Sequence, residues 1–305
     1  MKKILISGTD GFIGRHLEET MAKRADFQLL CPRLLILNLT KTTEVANYLE
    51  THRPDIIIHS ATANTVGKGY ESDVCEQNLR MFFNLVHHRP KGSILYTLCS
   101  GSSYNRENWV ENMSEDYLGK FIPSDGQGFS KFVIASHARY LENVVTLRLF
   151  GIFGRHEDYR YKFISNTIAK RLAGLDVVLA KNAFYHYLDV EDFCTILMRL
   201  IDEQVDSGEF NVTPDRAVSL EEIIKTVDNY LAIAKGHTVL SQGLGRAYTG
   251  CNKRLRNALP NLAFTPIEES ISRLVGHYRQ HIEDIDRVAL SQDLLLQHAR
   301  SISRT

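Results

Sequence analysis

Short apolar runs alternate with helically spaced segments through the first half of the chain. Lys3 to Ser7, Phe27 to Cys31, Asp55 to His59, Ser93 to Leu98 and Val144 to Leu149 are strand-length runs rich in Ile, Leu and Val. Between them, Phe12 to Lys23, Thr42 to Thr51, Asp73 to His88 and Gln127 to Leu141 repeat apolar residues at the spacing of one helix face. Strands that are apolar on both faces, each followed by a helix, predict a parallel sheet covered on both sides. The expected fold class is α/β, a Rossmann-type doubly wound parallel sheet.

The second half is less regular. Tyr161 to Ala173, Val190 to Asp202, Ser219 to Ala232 and Pro266 to Gln280 read as helices, and Asp176 to Leu179 and Glu209 to Val212 as short strands. The tail from Glu283 reads as helical, and Ser219 with Glu222 fits a capping box. No repeat and no low-complexity linker separates the halves.

The strongest local pattern follows the first apolar run: Gly8-Thr9-Asp10-Gly11-Phe12-Ile13-Gly14. Three glycines at this spacing, between a strand and a helix, permit a tight turn, a close approach of backbone to a pyrophosphate, and close helix–strand packing. The helix start then offers free N–H groups and the positive end of its dipole to the anion. Gly8, Asp10, Gly11, Phe12, Ile13 and Gly14 are therefore expected to hold a dinucleotide. Residues 1–155 are expected to form mainly this binding domain, and 156–305 mainly a smaller substrate lobe interleaved with it. The second strand ends in Cys31-Pro32-Arg33 with no acid to meet ribose hydroxyls. Arg33 can instead pair with a 2′-phosphate, which leans towards NADP, with NAD the alternative; a lone surface arginine explains it equally well.

Charge and cysteine usage narrow the partners. Lys plus Arg and Asp plus Glu are 36 each, so the formal net charge is zero. That gives no long-range attraction to nucleic acid or an anionic membrane. No run reaches about 18 apolar residues, and the apolar start breaks at Gly8, too early for a signal peptide. A cytoplasmic location is expected. Cys31, Cys75, Cys99, Cys194 and Cys251 are odd in number and lack CxxC spacing, which speaks against a disulfide framework and a zinc site, and no metal is expected.

Later segments carry a resemblance. Asn38-Leu39, Ser60-Ala61-Thr62-Ala63, Asn78, Leu98-Cys99-Ser100-Gly101-Ser102-Ser103-Tyr104, Leu147 to Gly154, Tyr185, Tyr187 to Asp192 and Glu209 to Val212 stand in one order along the chain. In that order they resemble the extended short-chain dehydrogenase/reductase family of NAD(P)-dependent nucleotide-sugar epimerases, dehydratases and reductases. The short path from Arg33 to the next helix is most similar to GDP-fucose synthase and dTDP-4-dehydrorhamnose reductase. The resemblance implies that Asn38 and Leu39 flank the adenine, and that Ala61, Thr62 and Ala63 lie beside the cofactor ribose. It further implies that Asn78 braces the sheet, that Ser100 is a catalytic hydroxyl, and that Tyr185 sits where an arginine often meets the substrate diphosphate. A nucleotide-sugar substrate and a homodimer are also implied. The leading expectation is NADPH-dependent reduction of a nucleotide-activated 4-keto-6-deoxy sugar, with a nucleotide-sugar epimerase as the alternative.

The family's Tyr-x-x-x-Lys is broken. The matching stretch is Gln127-Gly128-Phe129-Ser130-Lys131. Residues i and i+4 share a helix face, so Gln127 and Lys131 are expected to point at the cofactor together. An amide can donate a hydrogen bond but gives up no proton near pH 7. Three readings stay open. Tyr104 supplies the proton, with Asp125 or a water linked to Lys131 behind it; the chain binds without catalysis; or Gln127 is an introduced, inactivating change. His59 reads as a satisfied strand-end residue and Cys99 as packing. The run Arg155 to Arg160 reads equally as a phosphate contact or a solvated loop.

Overall fold

The computed structural model describes residues 1–63 and 73–302. The strands in chain order are β1 (Lys2–Ser7), β2 (Phe27–Leu30), β3 (Ile56–His59), β4 (Ile94–Ser100), β5 (Val144–Leu149), β6 (Gly151–Phe153), β7 (Val178–Asn182), β8 (Phe184–Tyr185), β9 (Tyr187–Asp189), β10 (Gly208–Val212), β11 (Val218–Ser219) and β12 (Thr238–Leu244). The helices are α1 (Phe12–Met21), α2 (Thr42–His52), α3 (Val74–His88), α4 (Gly126–Ala138), α5 (Phe163–Leu172), α6 (Val190–Asp202), α7 (Leu220–Leu231), α8 (Lys253–Ala258), α9 (Ile267–Gln280), α10 (Arg287–Ser291) and α11 (Leu294–Ile302).

Six strands form one parallel sheet in the order β10-β5-β4-β3-β1-β2. This is the doubly wound architecture. Successive residues of β1 serve opposite faces. Ile4 and Ile6 pack with Leu17, Met21, Phe193 and Leu197 of α1 and α6. Leu5 packs with Val45, Leu49, Phe82 and Leu85 of α2 and α3. Burying such a side chain contributes about 1.5–3 kcal/mol, so both faces must stay covered. The sheet draws its sixth strand from beyond residue 155. A third core, built on Ile168, Val227 and Leu274, joins α5, α7 and α9 of the second half of the chain, hereafter the second lobe. The chain reverses its winding at β1, with β2 on one side and β3 on the other. The crevice beyond the carboxyl ends of β1 and β3 is where such sheets bind ligands.

The expected elements of the first half lie within three residues of those observed. The second half departs more. The tail is not one helix: Ile282–Asp284 forms a 3-10 turn, and α10 and α11 are separated at Asp293, whose φ is 49°. The Asp176–Leu179 strand is seen two to three residues later as β7, whereas its partner β12 and the short pairs β6–β9 and β8–β11 were not legible, because strands this short or this exposed carry no apolar period. The capping box is half formed. Ser219 accepts from the Glu222 N–H at 3.1 Å, but the Glu222 carboxylate turns to Arg216.

Candidate active site

The dinucleotide turn is built from backbone geometry. Gly8 has φ 76°, and a Cβ there would lie 2.7 Å from the Ala61 backbone. The end of β1 is thus pressed against the segment after β3, at the point where the sheet divides. A Cβ on Gly14 would stand 2.1 Å from the Gly8 carbonyl oxygen, so Gly14 serves helix–strand packing. α1 starts after Gly11 with no side-chain cap and no acid in its first turn. Its opening amides are left for an anion, as at other pyrophosphate sites. These residues fit a dinucleotide.

Flanking residues divide into those that reach the crevice and those that do not. Asn78 Oδ1 accepts from the Ala63 N–H at 2.8 Å and the Thr62 hydroxyl at 3.2 Å, while its amide donates to Ser130 Oγ at 3.3 Å. One asparagine therefore ties the Ala61–Ala63 segment to α4. Arg33 is 45% exposed and reaches Glu18 at 3.0 Å and Asp10 at 3.6 Å. It lines a small surface cavity with Arg15 and Glu19. The Asn38 side chain folds its own turn, accepting from the Thr40 N–H and hydroxyl at 3.0 and 2.8 Å. Leu39 is buried in the core beneath α2 and α3, where its apolar side chain is driven.

The catalytic segment is positioned by β4 and α4. Ser100 ends β4. Asp125 caps α4, accepting from the Gly128 N–H at 2.8 Å, so this carboxylate is engaged in starting the helix. Gln127 and Ser100 line the same cleft. Lys131, one turn further on, lies deeper; its ammonium donates to the Leu98 carbonyl at 3.0 Å and burial lowers its pKa. His59 is buried with Nδ1 3.1 Å from Ser7 Oγ, and burial, then Lys131, pull its pKa to about 3, so it stays neutral. Cys99 is packed, its thiol 3.6 Å from the Lys131 carbonyl oxygen.

Tyr104 is the main correction. It is fully buried, donates to Asn211 Oδ1 at 2.8 Å and carries the Arg148 guanidinium over its ring at 4.6 Å. The 3-10 turn Gly101–Tyr104 directs it into the core, and it does not line the cleft. Another phenol stands where Tyr104 was expected. The Tyr248 hydroxyl is 3.3 Å from Ser100 Oγ and lines the cleft.

The cleft encloses about 1070 Å³. Trp109, Phe150, Tyr185 and Tyr248 give it aromatic walls, and Leu294–Ala299 of α11 line it from the second lobe. Its cations are Arg106, Lys162, Lys181 and Arg246. Among the described residues only Arg106 of these is within 4 Å of an acid, Asp125 at 3.8 Å, while Lys162 acts at longer range on Glu157 and Asp158. Among the described residues the one carboxyl in the lining, Glu157, accepts from Ser165 Oγ at 2.5 Å, and burial pushes its pKa up to about 7. The lining is therefore net positive among the described residues. Arg155 and Arg160 turn instead to Glu19 and Asp158. Among the described residues no group of three or more His, Cys, Asp or Glu could hold a metal. No helix among them is long and apolar enough to cross a membrane.

A crevice for a dinucleotide at the switch of a doubly wound sheet, beside a hydroxyl-lined cleft, defines a class of nucleotide-dependent enzymes. The model of the NAD dependent epimerase/dehydratase family matches residues 4–213, and the chain belongs to that family. The chain is 24% identical over 238 residues to the GDP-6-deoxy-D-talose 4-dehydrogenase of Aggregatibacter actinomycetemcomitans, covering 73% of this chain and 78% of that one. It is 23% identical over 194 residues to the GDP-L-colitose synthase of Yersinia pseudotuberculosis, covering 57% of this chain and 61% of that one. Among solved structures, it superposes on the GDP-mannoheptose C4 reductase from Campylobacter jejuni with NADP bound at a TM-score of 0.78 and 18% identity, covering 91% and 98% of the two chains.

Proposed function

We propose that the chain reduces a nucleotide-activated 4-keto-6-deoxy sugar with NADPH. The observation that carries this reading is one cleft holding Ser100, Gln127 and Tyr248 together with Lys162, Lys181 and Arg246, which have no ion-pair partner among the described residues. Hydroxyls and an amide suit a sugar carbonyl; free cations suit a diphosphate. The volume exceeds that of most small-ligand sites, as a sugar nucleotide requires. A bound dihydronicotinamide supplies the hydride. Ser100 and Gln127 orient the carbonyl by hydrogen bonding, Lys131 turns its ammonium from the Leu98 carbonyl to the ribose when the cofactor binds, and the aromatic walls exclude water. The named relatives that act on GDP-linked sugars favour the same substrate class. A cytoplasmic homodimer completes the reading; Phe83 on α3 and Phe129 on α4 are exposed apolar groups of a helix pair suited to self-association.

Gln127 favours one second reading, a binding protein that has kept the cofactor crevice. NADPH oxidation measured against a panel of GDP- and dTDP-linked 4-keto-6-deoxy sugars separates the two. Turnover of at least one is expected. NADPH binding with no turnover of any would establish the second reading. NADPH is expected to bind more tightly than NADH. The exposed Arg33–Glu18 pair is worth at most about 1 kcal/mol, so a 2′-phosphate can displace it and gain about 1–3 kcal/mol from the guanidinium. Arg33→Ala should weaken NADPH and leave NADH unchanged in parallel titrations; equal affinities for both cofactors in the parent would remove Arg33 from the site.

A further inference from the structure

We infer that Tyr248, reaching in from the second lobe, supplies through Ser100 the proton that position 127 cannot give. The inference rests on the reductase reading above.

The two hydroxyls are 3.3 Å apart, and among the described residues Ser100 is the only hydrogen-bond partner of the Tyr248 hydroxyl. Both residues line the cleft that Gln127 enters. The phenol is held rigidly. Its ring stacks on Trp109 at 4.1 Å between centroids and meets Phe150 at 4.9 Å. Its own N–H donates to the Phe184 carbonyl at 2.9 Å, and its carbonyl accepts from the His186 N–H at 3.1 Å. Gly101, the residue after Ser100, leaves room for it: a Cβ there would stand 2.7 Å from Tyr248 Cε2. A phenol fixed on both sides and fitted against the serine needs no reorganisation to act. Burial pushes its pKa up to about 12, against the opposing pull of the Ser100 hydrogen bond and Arg106, so it carries its proton at neutral pH.

The step balances. The carbonyl carbon accepts a hydride from a dihydronicotinamide, which is oxidised, and the C=O π pair moves onto oxygen. That oxygen takes a proton from Ser100 Oγ as Ser100 takes one from Tyr248. The phenolate, facing the Arg106 charge, regains its proton from water. Gln127 contributes a hydrogen bond and no proton.

Tyr248→Phe tests this. It keeps the ring and its stacking and deletes only the hydroxyl, so folding is expected to be retained and is checked by circular dichroism. With a keto-sugar nucleotide that the parent reduces, kcat should fall about 10²–10⁴-fold. KM and the NADPH dissociation constant, read by fluorescence titration, should not move. Ser100→Ala should lower kcat as well. Unchanged kcat in Tyr248→Phe overturns the assignment and leaves the reductase reading standing. A parent that binds NADPH without turnover while Gln127→Tyr is active overturns both, because it shows a site without a working donor.

Discussion

Glu209→Ala is expected to cost about 3–5 kcal/mol of stability, the scale of an ion pair broken so as to leave a buried charge. Glu209 lies on β10, the edge strand that the second half of the chain adds to the sheet. Its carboxylate meets three arginines: Arg148 at 3.1 Å, Arg139 at 2.7 Å and Arg254 at 3.2 Å. Arg139 and Arg254 are partly exposed and can turn to water. Arg148 has no exposed surface; its other hydrogen-bond partners are neutral, Ser103 Oγ at 3.1 Å and Asn211 Oδ1 at 3.3 Å, and the buried Glu115 acts on it only at longer range. Removing Glu209 strands that guanidinium between β5 and β10. Urea unfolding of the parent and variant reads the difference. The pair variant Glu209→Leu with Arg148→Met should lose much less, because it removes the buried charge together with its partner. A loss below about 1 kcal/mol in Glu209→Ala would mean that Arg148 finds another counter-charge or water.

The same network shows what a sequence can disclose. β1, β3 and β5 are buried on both faces, so they read directly as apolar runs. The glycine turn was legible because its demands are local: Gly8 and Gly14 are fixed by contacts within the turn and with the neighbouring strand end. Gln127 and Lys131 follow from helix spacing, although Lys131 lies deeper than Gln127 and does not line the cleft. Tyr104 misled because a 3-10 turn winds three residues per turn, which carries the residue four places after Ser100 into the core. What waits there, Arg148 and Asn211, comes from β5 and β10 and has no trace in the segment itself. Tyr248 was illegible for the opposite reason. It stands 148 residues from Ser100 in an irregular stretch with no apolar period. Its place is set by backbone bonds to Phe184 and His186, and by the neighbouring bridge between Met113 and Gly250. The cations of the cleft are likewise gathered from separate segments, Arg106 before α4, Lys162 before α5, Lys181 on β7 and Arg246 after β12.

Gln127→Tyr is expected to raise turnover above the parent and to restore it in a Tyr248→Phe background. Position 127 is on the first turn of α4, whose start is fixed by the Asp125 cap, and it faces the cleft. A phenol there has open volume to enter, so the larger side chain need not displace the core. Lys131 follows at i+4 on the same helix face. Its ammonium would favour the phenolate over the phenol and so draw the pKa of the new tyrosine towards neutrality, whereas at Tyr248 burial outweighs the Ser100 hydrogen bond and the Arg106 charge. A donor whose pKa lies nearer the working pH transfers its proton more readily. The gain in the Tyr248→Phe background should reach about 10²–10⁴-fold in an NADPH-oxidation assay with a keto-sugar nucleotide. It should depend on Lys131: adding Lys131→Met should remove most of it. If Gln127→Tyr raises turnover in neither background while NADPH still binds, Lys131 does not reach the phenol at 127, and proton delivery rests on Tyr248 and Ser100 alone.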